Sequence, residues 1–328
     1  LIQGRLQQLI LQYRAQLLHK EQQAVDTLTS AYTHILAVIQ AQLAKLYRDV
    51  NTKQQNGEDI PISWLYQENR LQSAKLFIAK EIGHYGQLAQ ITTQQLRHFA
   101  VGLGQQSAQQ QLHVVTGERL ITPPTPSVIQ NLIGATKAGT PLSDLFKGFG
   151  DEAAQGAADA LIRGVTLGSS TQRMAKDVEQ ALQVPRNRAT TIASNETFRA
   201  YRSANVETYR ASGLVEQWRW IASKSGRTCP VCIAMDGILH DMDEEMESHV
   251  RCRCTMIPVR AGSSMSYQTG VEWFDGQSES VQKEVLGAKY QGWANGDFTL
   301  HDMVGHSHDP EWGGSLYEKS LKQLKKAG

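Results

Sequence analysis

RTCPVCIAMDGILHDMDEEMESHVRCRC, residues 227–254, carries all four cysteines of a 328-residue chain. Its spacing is Cys-x2-Cys, sixteen residues, then His-x2-Cys-x-Cys. Two pairs of donors separated by a short loop suit a tetrahedral ion, because each x2 turn lets two side chains converge without straining the backbone. Thiolates and an imidazole favour zinc over magnesium or calcium. Five residues compete for four positions: Cys229, Cys232, His249, Cys252 and Cys254. Cys229, Cys232 and His249 come first, with Cys252 ahead of Cys254 for the fourth place. The apolar run Met256 to Val259 suggests a strand just beyond, and residues two apart on a strand share a face. The alternative is a loop stapled by two disulfides, which the absence of a secretory context and a histidine at ligand spacing both disfavour. Five donors argue for a closed, structural site, not a catalytic one with an open position.

The residues around the knot carry a resemblance. A Thr-Cys-Pro-x-Cys pair (Thr228 to Cys232), an Asp236-Gly237 turn, and His-x-x-Cys-Arg-Cys followed by a short strand ending in proline resemble the Mu-type phage head-morphogenesis family, the minor head proteins. Upstream, residues 188–200 read RATTIASNETFRA, similar to the family's helix R-A-x-x-I-A-x-x-E-T-x-R-A. Downstream come Glu272-Trp273, Leu286-Gly287, Trp293, Gly296 and Phe298, in the family's order. Where the family tends to have prolines, His249 is flanked by Ser248 and Val250. The resemblance implies a minor component of the phage head: present in several copies per virion, bound to portal protein and other head proteins, and acting in head assembly or in DNA packaging and delivery. It places the chain in the head interior near the portal, and in the host cytoplasm during assembly.

Composition is near the globular norm, 41% hydrophobic and 20% charged, with a net charge of +1 that by itself says nothing of nucleic acid. No run of eighteen apolar residues occurs, and residues 1–9, LIQGRLQQL, lack the layout of a signal peptide. A soluble protein with no membrane partner is expected.

From Leu6 to Val50 apolar residues recur in threes and fours, a helical seam of about six heptads with glutamine-rich outer positions. Asn51 to Asp59 breaks it, Pro61 and Ser63 offer a new start, and Leu71, Ile78, Ile82, Tyr85, Leu96 and Phe99 repeat the seam. The pair reads as an antiparallel hairpin or as a coiled coil with partner subunits. Periodicity lapses over Gly102 to Gly117, and the prolines at 123, 124 and 126 form a stiff boundary. Ser170 is placed to cap a helix over Thr171 to Gln183, Pro185 to open another reaching Ser212, and Gly213 to end it. The expected fold is therefore α+β, mainly α-helical. Long amphipathic helices occupy 1–118, and short helices plus an arginine-bearing helix 119–213. A small zinc-stabilised antiparallel β element follows over 214–262, and a loop-rich C-terminal docking tail over 263–328.

Arg188, Arg199, Arg202 and Arg210 fall within about 80° of one another on a helical wheel. They have two readings: contact with packaged double-stranded DNA, or arginines lying over an apolar face. Asn195 and Glu196 read as packing contacts, although mid-helix polar residues invite a catalytic interpretation. Glu245-x-Glu247 matches a pattern seen in ADP-ribosyltransferases, but within the acidic run Asp241 to Glu247 it reads as a solvated loop. His301, His306 and His308 lack a carboxylate or cysteine at matching spacing for a second metal site. Trp273, Trp293 and Trp312 read as spaced docking aromatics. The expectation is no enzyme and no catalytic residue. The alternatives are an ADP-ribosyltransferase or zinc nuclease, and a zinc-containing DNA-binding module.

Overall fold

The computed structural model describes the chain apart from residues 1, 120, 137, 138, 261, 263–265, 310–312 and 328. The first seam forms a single helix, α1 (Ile2–Gln55), with Leu6, Leu17, Leu28, Tyr32, Ile39, Leu43 and Val50 all buried. It ends where Gly57 takes φ +72° and Glu58 N–H returns to the Lys53 carbonyl at 2.9 Å. The new start at Ser63 gives only one turn, α2 (Ser63–Tyr66). Glu68 and Asn69 then adopt left-handed backbone, and α3 (Arg70–Thr116) carries the second seam. Tyr32 meets Tyr85 edge-on at 4.9 Å, and Tyr13 and Leu17 share a core with Ala100 and Val101, so α1 and α3 run antiparallel.

Periodicity lapses over Gly102 to Gly117 while the chain stays helical, since α3 runs through to Thr116. Amphipathic rhythm disappears there because the helix is enclosed on several sides: Ala100, Leu103, Ser107, Ala108, Gln111 and Leu112 are all buried. At Gly104 a Cβ would stand 2.5 Å from the Tyr201 carbonyl oxygen, so α3 approaches its neighbour backbone to backbone. One helix expectation is corrected: Pro185 opens no helix but lies inside α6 (Thr171–Ser212). Buried Val178 and Leu182 before it and Ala189 and Ile192 after it form one apolar stripe, whose burial outweighs the roughly 3 kcal/mol cost of an interior proline. Ser170 does cap this helix, accepting the Arg173 N–H, and Gly213 at φ +63° ends it.

The chain gathers into two compact units. One comprises Lys20–Leu96 and Leu142–Ser194. It adds α5 (Phe149–Thr166) to the C-terminal part of α1, the N-terminal part of α3 and the first half of α6. Alanines 153, 154, 157, 158 and 160 are buried on α5, which allows close helix contact. The other unit comprises Leu1–His19, Arg97–Pro141 and Asn195–Gly328, and includes α4 (Pro126–Gly134).

That second unit holds a three-stranded antiparallel sheet of β1 (Gln217–Ile221), β2 (Leu239–Asp241) and β3 (Thr255–Val259), in the order β2-β1-β3. Trp218 and Trp220 sit on its buried face with Met256, Tyr209 and Val206. Between β1 and β2 lies α7 (Pro230–Met235). The segment after residue 262 is more structured than expected. It forms α8 (Gly270–Asp275), α9 (Glu279–Leu286), α10 (Tyr290–Ala294), a hairpin of β4 (Val304–Asp309) and β5 (Gly313–Glu318), and α11 (Leu321–Ala327). Its short elements lack a long periodic signal, yet they close a core of Phe274, Leu286, Phe298, Leu300, Met303 and Leu324 around Ile233 and Ala234 of α7. Trp293 packs edge-on against Phe274 at 5.3 Å, so that aromatic faces inward; Trp312 lies outside the described residues. The structure is thus mainly helical with small antiparallel sheets.

Candidate metal centre

Cys229 is the N-cap of α7, with Pro230 in the first helical position. The missing N–H of proline costs nothing there, and the Cys229 sulfur accepts the Cys232 N–H at 3.4 Å. One helical turn therefore brings both sulfurs to the same side. Asp236 ends the turn: its buried carboxylate accepts the Ala222 N–H at 2.6 Å and the Tyr267 hydroxyl at 2.8 Å, and pairs with Lys224 at 3.0 Å. Gly237, at φ +97°, then donates its N–H to the Trp220 carbonyl at 2.9 Å and leads into β2.

The second half of the knot closes on the first. His249 Nδ1 donates to the Val250 carbonyl at 2.8 Å, leaving Nε2 directed at Cys229 Sγ (3.2 Å) and Cys232 Sγ (3.0 Å). The Cys252 N–H returns to the His249 carbonyl at 3.1 Å, and Arg251 between them is left-handed at φ +59°. Cys252 and Cys254 both reach Cys232, with the Cys232 and Cys252 sulfurs 3.8 Å apart.

All five sequence candidates are brought together. They form two overlapping triads, Cys229-Cys232-His249 and Cys232-Cys252-Cys254, with donor atoms in each within 4.8 Å of one another. Both could hold a metal ion. A tetrahedron with zinc–sulfur bonds of about 2.3 Å has edges of about 3.8 Å, the observed Cys232 to Cys252 separation. The four cysteines are free, not joined as disulfides. A hydrogen bond from Cys232 brings the Cys229 thiol down to about 5. Burial disfavours charged His249, yet hydrogen bonds to Cys229 and Cys252 raise it to about 11.

The four arginines meet different surroundings. Arg188 pairs with Glu152 at 3.1 Å and lies over the Phe149 ring. Arg199 pairs with Glu196 at 2.7 Å, and exposed Arg210 pairs with Glu207. Arg202 is buried behind the knot, with Nε donating to the Cys254 carbonyl (2.8 Å) and Nη2 to the Cys252 carbonyl (2.7 Å). Asn195 accepts the Arg251 N–H at 2.7 Å, and Glu196 is buried against Arg97, so both act as packing contacts. Glu245 is exposed, whereas Glu247 lies 3.7 Å from His306. His301, His306 and His308 are exposed. Sequence reasoning missed the Asp236-Tyr267-Lys224 cluster and Arg97, whose partners are remote in the chain and leave no local spacing.

Residues 155–257 match the family model described as Phage Mu protein F like protein. The resemblance seen in the sequence is borne out over that span, which includes α6 and the whole Cys/His knot and ends within β3. The family suggests phage head morphogenesis. Over 155 residues the chain is also 27% identical to an Enterococcus faecalis protein named NAD(+)–arginine ADP-ribosyltransferase EFV. That match covers 42% of this chain and 32% of the relative, about a third of its length. No solved structure matches. Among the described residues no helix is long and apolar enough to cross a membrane.

Proposed function

We propose that this chain is a structural minor head protein of a tailed phage, bound near the portal vertex inside the head and acting in head assembly or DNA packaging and delivery. The observation that carries this is the coincidence of the family match with the Cys/His knot and the helix packed behind it. The centre holds one zinc ion of structural kind. Cys229, Cys232 and His249 supply three ligands, and Cys252 or Cys254 the fourth, which leaves no coordination position for a reactive water. Zinc then ties α7 to the start of β3 and stabilises a sheet too small to be stable by itself. Partners are the portal and other head proteins.

The test is co-purification. Portal protein expressed with this chain is expected to retain it through size exclusion, and phage with Cys232→Ser is expected to yield malformed or non-infectious heads. Heads that form and infect normally without the chain overturn the proposal. The name of the enterococcal relative favours a second reading, an arginine-directed ADP-ribosyltransferase, for which NAD(+) turnover by the purified chain is the direct measurement.

A further inference from the structure

Arg202 is 4% exposed, and among the described residues no carboxylate pairs with it. A buried guanidinium without a counter-charge is strongly unfavourable. All its contacts with the knot converge on one turn: the Cys252 and Cys254 carbonyls and, through Nη1, Ser248 Oγ at 2.8 Å. The side chains of this turn that a metal ion would bind are those of Cys252 and Cys254. An ion of charge +2 bound by three or four thiolates leaves a net charge of −1 or −2, which a buried cation offsets. The planar fork of arginine spans the carbonyls of residues i and i+2; a lysine ammonium cannot hold both in fixed geometry. Asn195, seven residues earlier and on the same face of α6, grips the Arg251 N–H and supports the left-handed residue between His249 and Cys252.

We propose that Arg202 is the counter-ion and positioning residue of the metal centre, holding the turn from Cys252 to Cys254 in register and offsetting the charge of its thiolates. This rests on the assignment of a metal centre. The ligands come from the knot, while α6 supplies the wall that orients them.

The test uses the full chain, purified with zinc, and compares wild type with Arg202→Met, Arg202→Lys and Asn195→Ala. Zinc release to a chelator and the absorption spectrum of the Co2+-substituted protein are read, with far-ultraviolet circular dichroism as the folding control. Arg202→Met is expected to release zinc at least about tenfold faster and to lose thiolate-to-cobalt charge-transfer intensity. Arg202→Lys, which keeps the charge without the fork, is expected between the two. Asn195→Ala is expected to speed release less than Arg202→Met. If Arg202→Met does not fold, Arg202→Lys decides. A folded variant at Arg202 with wild-type release and an unchanged cobalt spectrum overturns the role of Arg202 alone. A wild-type chain that binds neither zinc nor cobalt overturns the metal centre, and this inference with it.

Discussion

Glu196 meets Arg97 at 2.9 Å with their side chains only 3% and 0% exposed, so a carboxylate and a guanidinium face each other out of reach of water. Arg97 also donates to the Leu132 and Ala135 carbonyls at the end of α4, and Arg199 shares both Glu196 and the Ala135 carbonyl. One carboxylate thus serves two cations and pins three helices. Removing one partner of a buried pair leaves the other uncompensated, so Glu196→Ala is expected to cost about 3–5 kcal/mol. Arg199→Ala, at the more exposed side, is expected to cost less. In urea titrations, the double variant Arg97→Met/Glu196→Leu should lie well above the sum of the single losses in stability. Additive losses would mean that the pair is not a coupled unit.

Metal content gives the second expectation. Protein purified without added zinc should carry about one equivalent, and chelation should loosen the sheet and shift the emission of buried Trp218 and Trp220 to the red. Comparing Cys252→Ser with Cys254→Ser identifies the fourth ligand, since only the ligating cysteine changes stoichiometry or affinity strongly. Less than a tenth of an equivalent in wild type, with thiols absent, would instead indicate disulfides.

The two helical seams give a graded expectation. Ile82 is wholly buried and Ile35 only half-buried. Placing Asp at Ile82 should therefore cost several kcal/mol, and at Ile35 distinctly less, because the desolvation of a lone charge scales with the water it loses. Equal unfolding midpoints for wild type and Ile82→Asp would show that the helices do not rely on this core.

Gly104→Ala tests the close approach of α3 to α6. The new methyl would meet the Tyr201 carbonyl oxygen at 2.5 Å and the Ala204 Cβ at 2.8 Å, so the helices must separate, at about 1–3 kcal/mol. Gly102→Ala, with no atom within 4 Å of its added Cβ, is the control and should be neutral or slightly stabilising.

These four expectations also mark what the sequence could and could not reveal. The first seam was legible from Leu6 to Val50 because one face of α1 is apolar and the other glutamine-rich, the condition under which period 3.6 survives in sequence. The convergence of Cys229, Cys232, His249, Cys252 and Cys254 was legible because ligand spacing is itself local geometry. Around Gly104 the signal fails, since a helix enclosed on several sides needs small residues in place of an apolar stripe. Arg202 falls in the same helical sector as three arginines with quite different neighbours. Only the fold brings it to Cys252 and Cys254, fifty and fifty-two positions away.

The last expectation separates scaffold from enzyme. Glu245 and Glu247 occupy the loop between the two halves of the knot, and this is the acidic pair with which a transferase would be associated. Yet Glu247 lies beside the β4–β5 hairpin, where a Cβ on Gly314 would collide with its carboxylate, and faces His306 at 3.7 Å. Both contacts seat the loop on that hairpin. On the proposed head role, Glu245→Gln with Glu247→Gln should therefore leave metal content and head formation unchanged and change the unfolding free energy by less than about 1 kcal/mol, the scale of exposed charge contacts. On the same proposed role, Cys229→Ser should cost the chain its metal and the phage its infectivity together. Arginine ADP-ribosylation or NAD(+) hydrolysis by the wild-type chain, abolished in the double glutamine variant, would assign the loop to catalysis and make the metal its scaffold.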